Sequence, residues 1–136
     1  MMRFAVLLLA AGWASGPATP ALAQNVLQRA TVPPDAARSI AGADAERGRA
    51  IVMDIGCNAC HVISRVPGPF GRVGPALDGL SHRAYIAGTL PNTPGALVSW
   101  LTDPPRHAPR SAMPNMGLTQ AQAIDIAAFL YTLPPR

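Results

Sequence analysis

The sequence predicts an all-α fold of three or four helices separated by long proline- and glycine-rich loops. Three observations predict it. Apolar residues recur at helical spacing in three separate stretches, and a capping residue opens each of them. No stretch alternates with period two for long enough to form a strand. A chain of 136 residues with no internal repeat fits one domain rather than two.

The first segment is set apart from the fold. Arg3 precedes the apolar run Phe4 to Ala14, and small residues and prolines then lead to Ala21-Leu22-Ala23. That order is a secretory signal covering residues 1–23 and cut after Ala23. The run is shorter than the about 20 apolar residues of a spanning helix, so the mature protein is expected to be exported and not to span a membrane. Residues 24–43 carry Pro33-Pro34 and many alanines with no sustained apolar period, and read as a linker or loosely docked arm.

The domain proper is expected at 44–136. Asp44 is an N-cap, Ile51, Val52 and Ile55 share one helix face, and Gly56 ends that helix. Residues 62–80 contain Pro67, Gly68, Pro69, Gly71, Gly74, Pro75 and Gly79. No regular element fits there, so this is a loop that must wrap something. A short helical turn is expected at 82–87. Thr93-Pro94 then supplies an N-cap and a proline at the first helical position, with Leu97, Val98, Trp100 and Leu101 as the apolar face. Asp103-Pro104-Pro105 stops that helix, and 104–118 is again a loop. Thr119-x-x-Gln122 is a capping box for a last helix over about 120–132. Ile124, Ala127 or Ala128, and Tyr131 make one stripe along it, with Ile126, Phe129 and Leu130 close beside.

The formal net charge of +4 comes from arginine alone, because the chain contains no lysine. Loss of the signal removes Arg3 and no acid. A basic chain can bind nucleic acid, yet these arginines stand singly in an exported protein, and nucleic acid is excluded as a partner. The aromatics beyond the signal are few: Phe70, Tyr85, Trp100, Phe129 and Tyr131. A chain with 15 prolines and 12 glycines buries limited apolar area. A large, flat, apolar prosthetic group at its centre would resolve that shortage.

The two cysteines both lie in Cys57-Asn58-Ala59-Cys60-His61. This C-x-x-C-H spacing is that of c-type haem attachment. One helical turn places both thiols under the haem vinyl groups, and the adjacent His61 becomes the first axial ligand of the iron. Three other readings compete. A disulfide between Cys57 and Cys60 would close a loop too tight to stabilise much. A thioredoxin-like pair belongs in a strand–helix setting, whereas this motif follows a helix. A zinc site needs four ligands, and His82 and His107 are lone residues. For the second iron face the candidates are Met113, Met116, His82, His107 or no protein ligand. Met53 lies on the proximal side and cannot reach.

From about Asp44 to Leu133 the chain resembles the small bacterial monohaem members of the class I cytochrome c family. The landmarks are Gly48 ahead of Cys57-x-x-Cys60-His61, then Gly74-Pro75-x-Leu77 and Gly79-Leu80, then Ala112-Met113-Pro114, and last Ile126-Ala-Ala-Phe129-Leu130-Tyr131. The resemblance implies a cytochrome c-like fold around one covalent haem c, with Met113, the methionine before proline, as second axial ligand. It implies that the Pro75 carbonyl accepts from His61 Nδ1 and so raises the basicity of the ring. Gly48 would let the first and last helices cross closely against Phe129. Trp100 would pack beside the haem with its indole N–H toward a propionate, and Tyr85 and Asn92 are lesser candidates for those surroundings.

The function so implied is one-electron transfer in the periplasm, not catalysis, between redox partners such as a terminal oxidase or dehydrogenase. Methionine ligation and burial both raise the potential. A monomer is expected. Two other functions remain open: a haem enzyme or gas or peroxide sensor with an open distal site, and a fixed subunit of a dehydrogenase or oxidase complex. One departure stands out. Many family members dock through a ring of lysines, and here Arg106 and Arg110 precede Met113 instead.

Overall fold

The structure is a computed structural model that describes residues 39–69 and 71–136. The signal expected at 1–23, the arm before Ser39, and Phe70 lie outside the described residues. The described end of the arm is a turn in which Ile40 packs against the core.

Helix α1 spans Ala45–Ile55. Asp44 caps it, one carboxylate oxygen accepting from the amides of Glu46 and Arg47 at 3.0 Å each. Gly56 closes it in the left-handed conformation, φ 79°, where a side chain would be strained. A 3₁₀ turn over Cys57–Ala59 follows directly. Helix α2 spans Pro94–Thr102, and the Thr93 hydroxyl accepts from the Ala96 amide at 3.2 Å. Helix α4, Gln120–Tyr131, opens on the full capping box. Thr119 Oγ1 accepts from the Gln122 amide, and Gln122 Oε1 accepts from the Thr119 amide at 3.0 Å.

Two expectations need correction. Residues 83–87 hold no helical turn, and of the expected stretch only His82 is helical. A 3₁₀ turn lies earlier, at Leu80–His82, and two short strands follow: β1, Tyr85–Ile86, pairs antiparallel with β2, Leu90–Pro91. Their turn places Ala87 (φ 49°) and Gly88 (φ 72°) in succession at positive φ, the conformation whose twist matches a hairpin. Two residues a side are too few to display alternation, so no periodicity could announce them. The second correction is helix α3, Pro104–His107, within the stretch read as loop. Both its prolines sit in the first turn, where an N–H has no helical partner to lose.

Helices α1 and α4 cross at the centre of the domain. A Cβ added to Gly48 would collide with the main chain of Asp125 and Ile126, so the two backbones touch here. This closest approach is one turn before Phe129, where the crossing was expected. Phe129 itself is fully buried, with Val52, Ile63, Leu97, Ile126 and Leu133. The Asp125 carboxylate, also buried, ties the crossing together. It accepts from the Asp44 amide at 2.8 Å and takes Arg47 as a two-pronged partner, Nη2 at 2.7 Å. Bonding to Arg47 and to the Asp44 amide holds the Asp125 carboxyl below the usual carboxylate range.

Candidate functional site

The site begins at Gly56, whose left-handed turn takes the chain off α1 into the Cys57–Ala59 turn. The amide of His61 bonds back to Cys57 O at 3.0 Å, which closes the Cys-x-x-Cys-His segment into one tight unit. Cys57, Cys60 and His61 all line a single cavity of about 560 Å³. Val52, Leu97, Trp100, Leu101, Ile126 and Leu130 from three helices give it apolar walls. No disulfide joins the two cysteines. Burial pushes the Cys57 thiol up, opposite to the lowered thiol of a dithiol redox catalyst. Among the described residues no group of three or more His, Cys, Asp or Glu side chains comes together to hold a metal ion, so a zinc donor set is not assembled.

The loop over 62–80 wraps this segment. Gly71 donates to Asn58 O, Gly74 to Cys60 O and Leu77 to Val62 O, each at 2.9 Å. A Cβ on Gly74 would collide with the His61 ring, so the main chain passes directly against the imidazole. His61 Nδ1 lies 2.7 Å from Pro75 O. A carbonyl oxygen can only accept, so Nδ1 carries a proton, and in the neutral ring the lone pair is on Nε2.

Of the four candidates for a second iron ligand, both methionines line the cavity and neither histidine does. His82 faces a separate depression of about 660 Å³ with Ser39, Tyr131 and Pro135, remote in composition from any of the cysteine chemistry. His107 Nε2 is 2.8 Å from Ser99 Oγ, and its ring centroid is 6.4 Å from that of Trp100. Met113 is half-buried against the core, and its amide donates to Ser111 Oγ at 3.1 Å. Met116 is exposed. The Gly117 amide donates to Asn115 Oδ1 at 2.8 Å. Two short side-chain turns therefore hold the methionine loop in shape.

Trp100 is buried in the cavity wall, and Tyr85 lines the cavity while staying exposed. Asn92 is not part of that lining. Its amide donates to Leu80 O at 2.7 Å and Arg83 O at 2.8 Å, and its oxygen accepts from Tyr131 Oη at 2.9 Å. Asn92 thus binds the hairpin to α4. Arg83 reaches the cavity and donates to Ala76 O and Asp78 O. Neither the Gly74–His61 contact nor the Asn92 hub was apparent in the sequence. The adjacency of Gly74 to Pro75 was the one available signal for the first.

The donor set fits a haem. Two thiols and an imidazole lone pair share a cavity with thioether sulfurs, and the walls are otherwise apolar. Residues 45–134 match the family model described as Cytochrome c. A search of curated proteins found no match. Among solved structures, cytochrome c2 from Paracoccus denitrificans is similar at 24% identity, over 65% of this chain and 93% of that one, with a TM-score of 0.47. The family match spans most of the chain, and the protein belongs to the cytochrome c family: it carries one covalently bound haem c and transfers electrons rather than transforming a substrate.

Proposed function

We propose that the protein is a periplasmic one-electron carrier working between respiratory partners, such as a dehydrogenase and a terminal oxidase. In this reading Cys57 and Cys60 form the thioether links, and His61 and Met113 are the axial ligands. The observation that carries it is the 2.7 Å contact between His61 Nδ1 and Pro75 O, which turns a lone pair on Nε2 toward ligation. The bound haem supplies a reversible couple between ferric and ferrous iron.

Each residue has a separate task. Pro75 O orients the His61 ring and makes it a stronger donor. Gly74 keeps the loop close enough for that bond to form. Met113 offers a soft thioether, which favours the ferrous state. Its partial burial, the Ser111 bond to its amide, and the following Pro114 support it over the exposed Met116. Trp100, Leu97 and Leu101 exclude water and so disfavour the extra charge of the ferric form.

Export is supported by the signal-like order of residues 1–23, since c-type attachment takes place outside the bacterial cytoplasm. No helix among the described residues is long and apolar enough to cross a membrane. Voltammetry of the exported, haem-loaded protein tests the reading. A reversible one-electron wave with a midpoint well above zero is expected, and a midpoint well below zero would contradict methionine ligation.

A further inference from the structure

The Pro75 carbonyl that meets His61 belongs to a segment held from several directions, and one of those holds comes from the far end of the sequence. Toward the cysteine motif, the amides of Gly74 and Leu77 bond to Cys60 O and Val62 O at 2.9 Å each. From the other side, Arg83 Nη2 donates to Ala76 O at 2.5 Å and to Asp78 O at 3.0 Å. Residues 133–136 then close over the segment. The Gly79 amide donates to Leu133 O at 3.3 Å, and a Cβ on Gly79 would meet Pro135 Cα at 3.0 Å. Arg136 Nε donates to Asp78 Oδ2.

This last pair is lopsided. The Asp78 side chain is 1% exposed and that of Arg136 is 60% exposed. The Ser64 amide satisfies Asp78 Oδ1 at 2.8 Å but brings no charge. An exposed arginine usually contributes little, yet here it meets a carboxylate that burial has stripped of water. Without Arg136 that carboxylate either swings toward solvent or takes a proton. Either change loosens the segment three residues after Pro75. Neither Asp78 nor Arg136 lines the cavity that holds His61, so both act on it at one remove.

We propose that Arg136 is a positioning residue for the iron ligand: through Asp78 it pins residues 75–79 so that Pro75 O stays bonded to His61 Nδ1. It thereby sets the donor strength of the ring and the midpoint of the haem. This rests on the reading of His61 as an axial ligand and adds a distant residue to it. A weakened bond from the ring N–H to Pro75 O makes the imidazole a poorer donor, which favours ferrous iron and raises the midpoint.

Nuclear magnetic resonance of the haem-loaded ferrous protein, together with voltammetry, tests this on Arg136→Ala, Arg136→Lys and Asp78→Asn. In Arg136→Ala the His61 Nδ1 proton should exchange with solvent about tenfold faster, through an opening confined to the segment. Amides of α1 and α4 should exchange as in the wild type. The midpoint should rise in Arg136→Ala and in Asp78→Asn, and Arg136→Lys, which keeps the charge, should restore both readings. A pair that only anchors the fold predicts lower thermal stability with the His61 exchange and the midpoint unmoved, and that result overturns the proposal. A midpoint that falls in Arg136→Ala and rises in Asp78→Asn overturns it too, because Asp78 would then act on the haem as a charge. A wild-type His61 ring signal not displaced by the haem ring current would take the axial-ligand reading down, and the proposal with it.

Discussion

His61 takes its orientation from the backbone. Pro75 has no N–H to offer, and its carbonyl is held by a loop that Gly71, Gly74 and Leu77 stitch to the cysteine segment. The Tyr131–Asn92 pair is comparably exacting, because Tyr131 Oη donates to Asn92 Oδ1 at a buried site. Tyr131→Phe leaves Asn92 Oδ1 without its donor, and should cost about 1–3 kcal/mol in chemical denaturation. A change within error would mean that water replaces the hydroxyl. The two pairs differ in how visible they were. Cys57, Cys60 and His61 form a local pattern, so spacing alone suggested their chemistry. Asn92 and Tyr131 are 39 positions apart, and nothing in either neighbourhood names the other. The same holds for Asp125, which reads as a polar interruption of an apolar helix until Arg47 and Asp44 are seen around it.

At the level of elements, the crossing of α1 and α4 depends on the absence of a side chain at Gly48. Gly48→Ala sets a methyl group against main-chain atoms of Asp125, which cannot swing aside as a side chain can. We expect a loss of about 1–3 kcal/mol from such overpacking. Gly95 in α2 provides the contrast, since a Cβ there meets nothing within 4 Å. Gly95→Ala should be neutral, or stabilising by up to about 1 kcal/mol through helix propensity. Equal effects in the two variants would show that propensity, not the crossing, governs Gly48. The helices were legible because caps are local signals: Asp44, Thr93 and Thr119 each bond to amides two or three residues ahead. The hairpin and α3 were not, being shorter than any period that could reveal them. Ile63 and Val66 are buried within the Pro/Gly loop for a similar reason, placed by tertiary wrapping and not by repeat.

At the scale of the whole fold, two buried carboxylates among the described residues fasten distant parts of the chain. Asp125 joins α4 to the start of α1. Asp78 accepts from the Ser64 amide at 2.8 Å and from the Arg136 guanidinium, so it ties the loop to the C-terminus. Burial alone would raise the Asp78 carboxyl, but Ser64 and Arg136 outweigh it and hold it below its ordinary value. Both groups are thus more acidic folded than unfolded. Their contribution is complete above the unfolded value of about 3.9, and it is lost as pH falls through the lower folded values. Thermal unfolding should therefore be insensitive to these two groups near neutrality and decline below about pH 4. Asp125→Asn should flatten part of that decline, and an unaltered acid limb would assign it elsewhere. The measurement bearing most directly on the electron-carrier assignment is the absorption spectrum of the oxidised, haem-loaded protein. His61/Met113 ligation predicts the long-wavelength methionine-sulfur-to-ferric-iron band, lost in Met113→Ala and kept in Met116→Ala. Attached haem with no such band in the wild type, or a band lost only in Met116→Ala, would contradict it.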